Sequence, residues 1–509
     1  MVQLGVEQAT RLRLLLDSNV IIAAEPYDGH LESEMTDATR LLRLANEQGH
    51  VLCYAPATEE DLRESADPQR RTQRLAELGK FSRLGEVAPS PSLQAAFPAA
   101  EPGSNDHRDL RILAALEAGA AGLLVTNDVR LRRRARRAGL GEATLSLAEA
   151  VDLLLGFAPT EVPLPPRVTR IESYQIDSTQ SIFDGLREDY PPFDAWLEKV
   201  KRDSDQRDCY VVLQEDRYAA LAILKHEDEP AHGLDGPWLK ICTFKVAADF
   251  AGSKYGELLL KSVLLHAIER GEQRLYVEVL NHHPEVIDFM TTFGFRIATE
   301  VETTLVLVKE LAGAGVTYPE SDDLSDLEYH VRYGPPAIRG RQSMFVIPIQ
   351  PQWHEQLFPE LEPASSAQLS LFAEDNRLTH PWGNALRKAY LSNSRITTML
   401  PGDVILFYRS QSGVVSAVGV LERALRSPSV EEVTRFVGRR TVYTPEEIST
   451  MCRRGVDGVL ALLFRQDRFI TPGWTRPELT AAGVFKSWPQ TITRVPRGGR
   501  QWVLDRLTE

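Results

Sequence analysis

The sequence predicts a multidomain α/β protein: a parallel-sheet α/β block, then an α+β block, then a small β-barrel block. Three observations carry this. The chain has 509 residues, and at roughly 100–200 residues per domain that length divides into about three cores. Strands alternate with helical patterns through the first block, which is how a parallel sheet reads in sequence. Residues 157–170 hold four prolines, and residues 312–340 are rich in Gly, Pro and Asp. Both compositions favour extended, exposed connectors. The blocks they bound are 10–156, 171–311 and 341–509.

Composition narrows the function classes. There are 58 Lys+Arg against 71 Asp+Glu, a formal net charge of −13. That balance argues against a protein that coats nucleic acid, while leaving room for a local basic site. With 43% hydrophobic and 25% charged residues, the chain is an ordinary globular one. Cys53, Cys209, Cys242 and Cys452 stand alone, without the spacing of a zinc ribbon or a disulfide framework, which points to a reducing compartment. Arg11 and Arg13 lead into only three leucines before Asp17, unlike a signal peptide. No apolar stretch approaches the about 18 residues that span a membrane. A cytoplasmic location with no membrane partner is the expectation.

In the first block, LRLLLDSNVII is an apolar strand ending at an Asp, residues 36–48 read as a helix, and HVLCYAP is a second strand. ATEEDLRES opens a helix that Thr58 could cap, with Asp61 three positions on. NDHRDLRILAALEAG is a helix with Asp106 and Asp109 near its start, followed by the strand GLLVT and then Asn127-Asp128. Ligands of parallel sheets sit beyond the carboxyl ends of the strands. Asp17, Asp109, Asp128 and one of Glu60 or Asp61 would meet there. Carboxylates so gathered repel one another unless a cation holds them, and oxygen-only ligands suit Mg²⁺ or Mn²⁺. The plain alternative is that helix N-termini attract Asp and Glu through capping and the macrodipole.

DSNVII, the ATEEDL helix start, NDHRDLRILAALEAG and LLVTNDVRL, in that order, resemble the four acidic motifs of PIN-domain nucleases. The resemblance implies that Asp17, Asp109 and Asp128 are metal ligands. The second-motif acid is Asp61, with Glu60 and Glu64 close by, and Asp106 could replace or assist Asp109. It implies a divalent-metal-dependent phosphodiesterase, RNA favoured and DNA allowed, and such domains often pair as homodimers. VRLRRRARRAGL follows directly, with Arg130, Arg132, Arg133 and Arg136 among its arginines. Such a run is ordinarily a solvated face, but beside a phosphodiester-cleaving centre it would bind nucleic-acid backbone.

The second block contains CYVVLQ, YAALAILKHE, LKICTFKVA, the turn DFAGSKYGELLLKSVLLHAIE, RLYVEVL and NHHPEVIDFMTTFGF. Gly252 and Gly256 flank a loop whose amides would crown the helix through Leu258–Leu260, and a helix N-terminus fed by glycines suits a pyrophosphate. This succession resembles the GNAT acetyltransferase family. The resemblance implies acetyl-CoA as ligand, with Phe244, Lys245 and Val246 pairing with pantetheine and the loop and helix start (Gly252, Lys254, Tyr255, Gly256, Glu257), together with Asn281, around the coenzyme. Two departures from the family pattern stand out. Lys254 replaces a central glycine, and Met290 stands where a general-acid Tyr is common, so Glu278 or Tyr276 would have to substitute. Without a donor, the block would sense or scaffold coenzyme A. His282 and His283 are expected to point apart on a solvated loop.

The third block holds SMFVIPIQ, a helical stretch near GNALRKAYLS, MLPGDVILFYRS, GVVSAVGVLERAL and VDGVLALLFRQDRFITPGWTRPEL. Strand-rich runs between Pro-Gly and Ser-Gly turns suggest a partly open barrel, and the PGD turn with its following strand is similar to PUA-like domains of the ASCH and EVE type. That similarity implies reading of RNA or modified bases by stacking. PWGNALRKAY would place Trp382, Asn384, Arg387 and Lys388 within two helical turns. Tyr390, Phe407, Tyr408 and Trp474 are stacking candidates whose ordinary role is core, and Arg395 and Arg409 are phosphate candidates.

Together these readings predict a metal-dependent nuclease with an acetyl-CoA-binding middle block and a substrate-selecting third block. By analogy, the combination suits a bacterial toxin or antiphage role. The rival is an N-acetyltransferase acting on an RNA- or protein-borne amine, with the first block as an RNA-binding module. A third option is a non-enzymatic RNA-binding adaptor.

Overall fold

The structure is a computed structural model, and it describes residues 12–24, 35–64, 67–95, 97, 100–155, 168–214, 216–250, 255–312, 322–361, 385–455 and 457–508. The chain forms two compact units. The first comprises Met1–Glu161 with Leu391–Asn393 and Leu425–Ala461, and the second comprises Val162–Tyr390, Ser394–Ala424 and Leu462–Glu509.

The first unit is built on five strands: β1 (Arg13–Leu16), β2 (Val51–Tyr54), β3 (Ser82–Arg83), β4 (Leu123–Val125) and β5 (Thr144–Leu145). Their order is β3-β2-β1-β4-β5, and every pairing is parallel. Helices link them: α1 (Ser18–Ala23), α2 (Met35–Glu47), α3 (Pro56–Arg63), α4 (Pro68–Glu77), α5 (Pro91–Ala95), α6 (Asn105–Glu117), α7 (Val129–Arg137) and α8 (Leu147–Leu155). The strands are short and apolar because both faces are covered. Leu14, Leu15, Leu16, Leu124 and Val125 are completely buried. Strand order reverses between β1 and β4, so their carboxyl ends frame the crevice where ligands of such sheets bind.

Two local expectations are corrected. The first strand stops at Leu16, because Asp17 caps a helix and turns SNVIIA into α1. Thr58 is no cap. Helix α3 starts at Pro56 behind Ala55, and the Thr58 hydroxyl instead donates to the carbonyl of Leu16 at 3.5 Å.

The second unit holds a seven-stranded mixed sheet of β6 (Val168–Ile171), β7 (Asp208–Gln214), β8 (Arg217–Glu227), β9 (Trp238–Val246), β10 (Arg274–Leu280), β11 (Arg296–Val301) and β12 (Thr304–Glu310). The order is β11-β12-β10-β9-β8-β7-β6, antiparallel throughout except for β9 with β10. Helices α9 (Asp184–Asp189), α10 (Phe193–Arg202), α11 (Tyr255–Glu269) and α12 (Pro284–Thr292) accompany it. Helix α11 packs Leu259, Leu260 and Val263 against Ala220, Ala222 and Leu275 in one core.

A six-stranded sheet follows: β13 (Met344–Ile349), β14 (Arg387–Ser392), β15 (Val404–Arg409), β16 (Val414–Ser427), β17 (Val459–Thr475) and β18 (Thr493–Arg494), ordered β14-β17-β16-β15-β13-β18. The expected helix near GNALRKAYLS is strand β14. Its burial pattern is nearly continuous, with Lys388, Ala389, Tyr390 and Leu391 all buried. Within the second unit, residues of the two sheet regions share buried and part-buried polar contacts. Glu257 Oε2 accepts from the Arg387 amide at 3.2 Å, Lys261 Nζ donates to Gln466 Oε1 at 3.1 Å, and Arg465 Nη1 donates to the Thr292 carbonyl at 3.1 Å. Among the described residues, no helix is long and apolar enough to cross a membrane.

Candidate functional site

The first candidate lies at the strand-order reversal of the parallel sheet. Asp17 follows β1 and is 6% exposed. Its Oδ1 accepts from the Ser18 amide at 2.8 Å, and its Oδ2 accepts from Asn19 Nδ2 at 2.7 Å and from the Thr126 hydroxyl at 2.6 Å. Asn19 and Thr126 thus tie the ends of β1 and β4 together. Asp128 caps α7, with Oδ1 accepting from the amides of Arg130 and Leu131 at 2.7 and 3.0 Å. The capping role weighed for these acids is therefore real for both, and it leaves the other Asp128 oxygen outside the cap.

The charges tell more than the caps do. Burial pushes the Asp17 carboxyl up to about 6, against the hydrogen bonds from Thr126 and Ser18, and the charges of Asp128 and Asp61 add to the rise. Asp109 is pushed up to about 7, first by burial and then by Asp128 and Asp17, while Arg134 opposes the shift. Asp17 thus lies within electrostatic reach of Asp128, Asp61 and Asp109, and Asp109 within reach of Asp128. All three candidates for the second acid are paired with arginines: Glu60 with Arg111 Nη2 at 2.9 Å in a cluster with Glu86, Glu64 with Arg108, and Asp61 with the same Arg108 at 3.4 Å. Asp61 is the one whose charge acts on Asp17. Asp106 and Asp109 are bridged by one guanidinium: Arg134 reaches Asp106 at 2.6 Å and Asp109 at 2.7 Å. Arg134 also lies over the Phe97 ring at 4.9 Å. The acids of this cluster do not bring three ligand oxygens within 4.8 Å of one another, so the expected Mg²⁺ or Mn²⁺ cup is not preformed among the described residues.

Helix α7 carries the arginine run. Arg130 and Arg136 are exposed, Arg132 and Arg133 half-buried, and Arg132 pairs with Glu149 at 3.6 Å.

The second candidate is the cleft of the seven-stranded sheet. Strands β9 and β10 pair only at Leu239 with Leu275, Lys240 with Tyr276 and Ile241 with Val277. Beyond that point β9 runs on to Val246 and β10 to Leu280, and the two strands part. Phe244, Lys245 and Val246 pair with β8 on one edge, leaving their other edge facing the gap. Helix α11 begins at Tyr255 beside it, so the amides of Tyr255, Gly256 and Glu257 fall in the first turn, where no helical acceptor exists. A Cβ on Gly256 would sit 3.4 Å from the Phe289 ring and 3.7 Å from Val246. Phe244 stacks on Phe289 with centroids 5.7 Å apart. Gly252 and Lys254 lie outside the described residues. The Glu257 carboxylate turns away to Arg387, so only its backbone is left for a ligand.

Of the substitute proton-transfer groups, Tyr276 is wholly buried and donates its hydroxyl to Glu227, and burial together with that carboxylate holds its pKa far above the usual phenol. Glu278 is the accessible one. Burial opposes its charge, but Lys240 Nζ at 2.6 Å and His232 Nε2 at 3.0 Å hold the carboxyl below its usual range. Asn281 ends the strand with its amide on the Thr303 carbonyl, and Met290 is buried core. The histidine pair is a further correction. His282 and His283 do not diverge but converge on Asp189, because the turn into α12 folds the His283 amide back onto the Leu280 carbonyl. Nothing in the local sequence pairs a loop histidine with a residue about ninety positions earlier.

In the third block the proposed PWGNALRKAY surface is not formed as expected. Trp382 and Asn384 lie outside the described residues. Arg387 Nε donates to Glu422 at 2.8 Å. Lys388 is fully buried, its ammonium on the Leu357 carbonyl and its pKa driven well down by desolvation, so it cannot meet a phosphate. Tyr390, Phe407, Tyr408 and Trp474 are buried, as a core role requires.

Residues 172–295 match the model of the Acetyltransferase (GNAT) family. This stretch is a GNAT acetyltransferase domain. The match covers the splayed β9–β10 pair and α11, the elements that build the second candidate. Among solved structures, the chain is similar to an IAA acetyltransferase from Bacillus cereus, at 18% identity over 29% of this chain and 99% of that one, with a TM-score of 0.23. It is also similar to a GNAT family acetyltransferase from Elizabethkingia anophelis with acetyl-CoA bound, at 18% identity over 28% and 99%, TM-score 0.22. A mutant ZmASCH protein from Zymomonas mobilis matches at 14% identity over 32% and 95%, TM-score 0.24. No curated protein matches the chain.

Proposed function

We propose that the protein transfers an acyl group from acetyl-CoA to an amine in the cleft between β9 and β10. The observation that supports this most is the parting of the two strands after Ile241 and Val277. It leaves a free peptide edge at Phe244–Val246 for the amides of pantetheine. The first turn of α11 suits the pyrophosphate, through the helix N-terminus and its dipole. Attack by the amine on the thioester forms a tetrahedral adduct, which collapses to the amide and the coenzyme A thiolate. In this reading Glu278, the accessible carboxylate of β10, accepts the proton that the amine loses, directly or through one water. In titration calorimetry, full-length protein is expected to bind acetyl-CoA, and Glu278→Gln is expected to lower kcat with little change in that binding. No heat at millimolar acetyl-CoA removes the reading.

A second reading, metal-dependent cleavage of nucleic acid by a PIN-like first block, is favoured by the electrostatic coupling of Asp17 to Asp128, Asp61 and Asp109, and of Asp109 to Asp128. Those four would hold Mg²⁺ or Mn²⁺. Such an ion, when bound, acidifies a water and offsets phosphate charge. The arginines of α7 would take the backbone, and a PUA-like third block would select the target. Its test is incubation with total RNA and with plasmid, in Mn²⁺ and in EDTA. Manganese-dependent cleavage lost in Asp17→Asn supports it, and intact substrate in Mn²⁺ refutes it.

A further inference from the structure

We propose that Asp189, His282 and His283 form a site for a borderline divalent transition ion, zinc by preference, which pins α9 to the carboxyl end of β10. The site is separate from the acid cluster of the first unit and does not depend on the acyltransferase reading.

The geometry is that of a three-ligand cup. Each residue offers one ligand atom, and those atoms all lie within 4.8 Å of one another, the one such group among the described residues. His283 Nε2 is 2.9 Å from Asp189 Oδ2, and His282 Nε2 is 3.5 Å from Oδ1. The two rings are 4.4 Å apart between centroids and tilted by 49°. A tetrahedral ion bound at roughly 2.0–2.1 Å separates its ligand atoms by roughly 3.3 Å, so small side-chain movements would close the cup.

The donor set selects the ion. Two imidazole nitrogens with one carboxylate suit Zn²⁺ and its neighbours, whereas Mg²⁺ and Ca²⁺ prefer oxygen alone. Three protein ligands leave at least one position open, and the His282 side chain is 58% exposed, so the ion can be reached from solvent. The ligands also come from two separate elements. Asp189 closes α9, and His282 and His283 lie between β10 and α12. Gly185, one turn before Asp189, is met by the side chain of Lys245 from β9: a Cβ there would lie 3.3 Å from Lys245 Nζ. An ion at this point would therefore hold α9 beside the strand that lines the cleft.

Without an ion, two imidazole N–H groups on one carboxylate satisfy one another, so binding must be measured directly. Full-length protein is stripped with a chelator, dialysed, and titrated with Co²⁺ and then Zn²⁺, following cobalt d–d absorption and bound metal by elemental analysis. The expected result is one tightly held ion per chain giving the intense visible bands of a low-coordinate nitrogen–oxygen site. Zn²⁺ affinity should fall at least ~100-fold in His283→Gln and Asp189→Asn. Asp17→Asn should leave it unchanged. His282→Gln, at an exposed position, repeats the test if Asp189→Asn does not fold. Wild-type affinity in the histidine variants, or no uptake of either ion at micromolar concentration, overturns the proposal.

Discussion

Arg134 donates from Nη1 to Oδ2 of Asp109 at 2.7 Å, placing a fixed positive charge inside the acid cluster of the parallel sheet. Arg134 Nη2 also holds Asp106, so one guanidinium occupies space that a divalent ion would share. An ion entering the cluster must meet that charge or displace it. Arg134→Gln is therefore expected to tighten Mn²⁺ binding about tenfold, since the repulsion between the two cations is lost in a partly buried setting. Titration calorimetry on the variant and the wild type checks this. Weaker binding in the variant would mean that Arg134 orders the carboxylates and does not compete for them.

The same cluster sets a pH dependence. Asp17 and Asp109 have folded pKa values of about 6 and about 7, against 3.8 for the free side chain. Between about pH 4 and pH 7 the folded state therefore holds more protons than the unfolded chain, and stability falls as pH rises through that window. Thermal unfolding without divalent ions should show the first unit melting about 5 °C lower at pH 8 than at pH 5. If the ionised acids take up Mn²⁺, as the nuclease reading requires, the ion should restore the loss at pH 8 and do little at pH 5. In Asp17→Asn both the pH slope and the metal effect should shrink. Equal slopes in variant and wild type would show that these acids are not coupled.

How much of this was legible in the sequence differs between the two candidates. The acids were readable because each follows a strand or opens a helix, positions fixed by local pattern. The partners that set their charge were not: Arg134 meets Asp109 across α7 and α6, and Thr126 meets Asp17 across the sheet. In the second unit, the strand–turn–helix succession around Gly256 was readable. The choice between Tyr276 and Glu278 was not, since residues two apart on one strand share a face and only the surroundings separate them. Tyr276 is sealed against Glu227, whereas Glu278 retains access. Lys388 was misplaced for a related reason. A charged residue in RKAYLS reads as exposed, yet the segment is a strand buried on both faces, and the ammonium is carried in with it.

The cleft can be tested where α11 starts. Gly256 sits against Phe289 and Val246, in the turn whose amides would face a pyrophosphate. Gly256→Glu adds both bulk and a negative charge there. Acetyl-CoA affinity should fall by more than about 30-fold, while the melting temperature changes little because the position is at a helix start. Retained affinity would place the coenzyme elsewhere.

Gly294 provides a stability test of the same domain. Its φ is +88°, and a Cβ there would come within 1.8 Å of the Val331 carbonyl oxygen and 2.9 Å of Lys309 Nζ. Lys309 is fully buried, donates to the carbonyls of Val331 and Arg332 at 3.1 Å each, and is pushed down to about 7 by desolvation. Any side chain at residue 294 must therefore push away both the backbone of α13 (Asp326–Tyr333) and the lysine that anchors it. Gly294→Ala combines left-handed backbone strain with this clash, and should cost more than about 3 kcal/mol. Melting of the second unit should drop by about 10 °C, while the first unit, which lacks these residues, keeps its own transition. Substituting Lys309→Met removes the donor to the two carbonyls but adds no clash, so a smaller loss is expected. If Gly294→Ala melts like the wild type, the approach of α13 to the Phe293–Gly294–Phe295 turn is looser than these distances require.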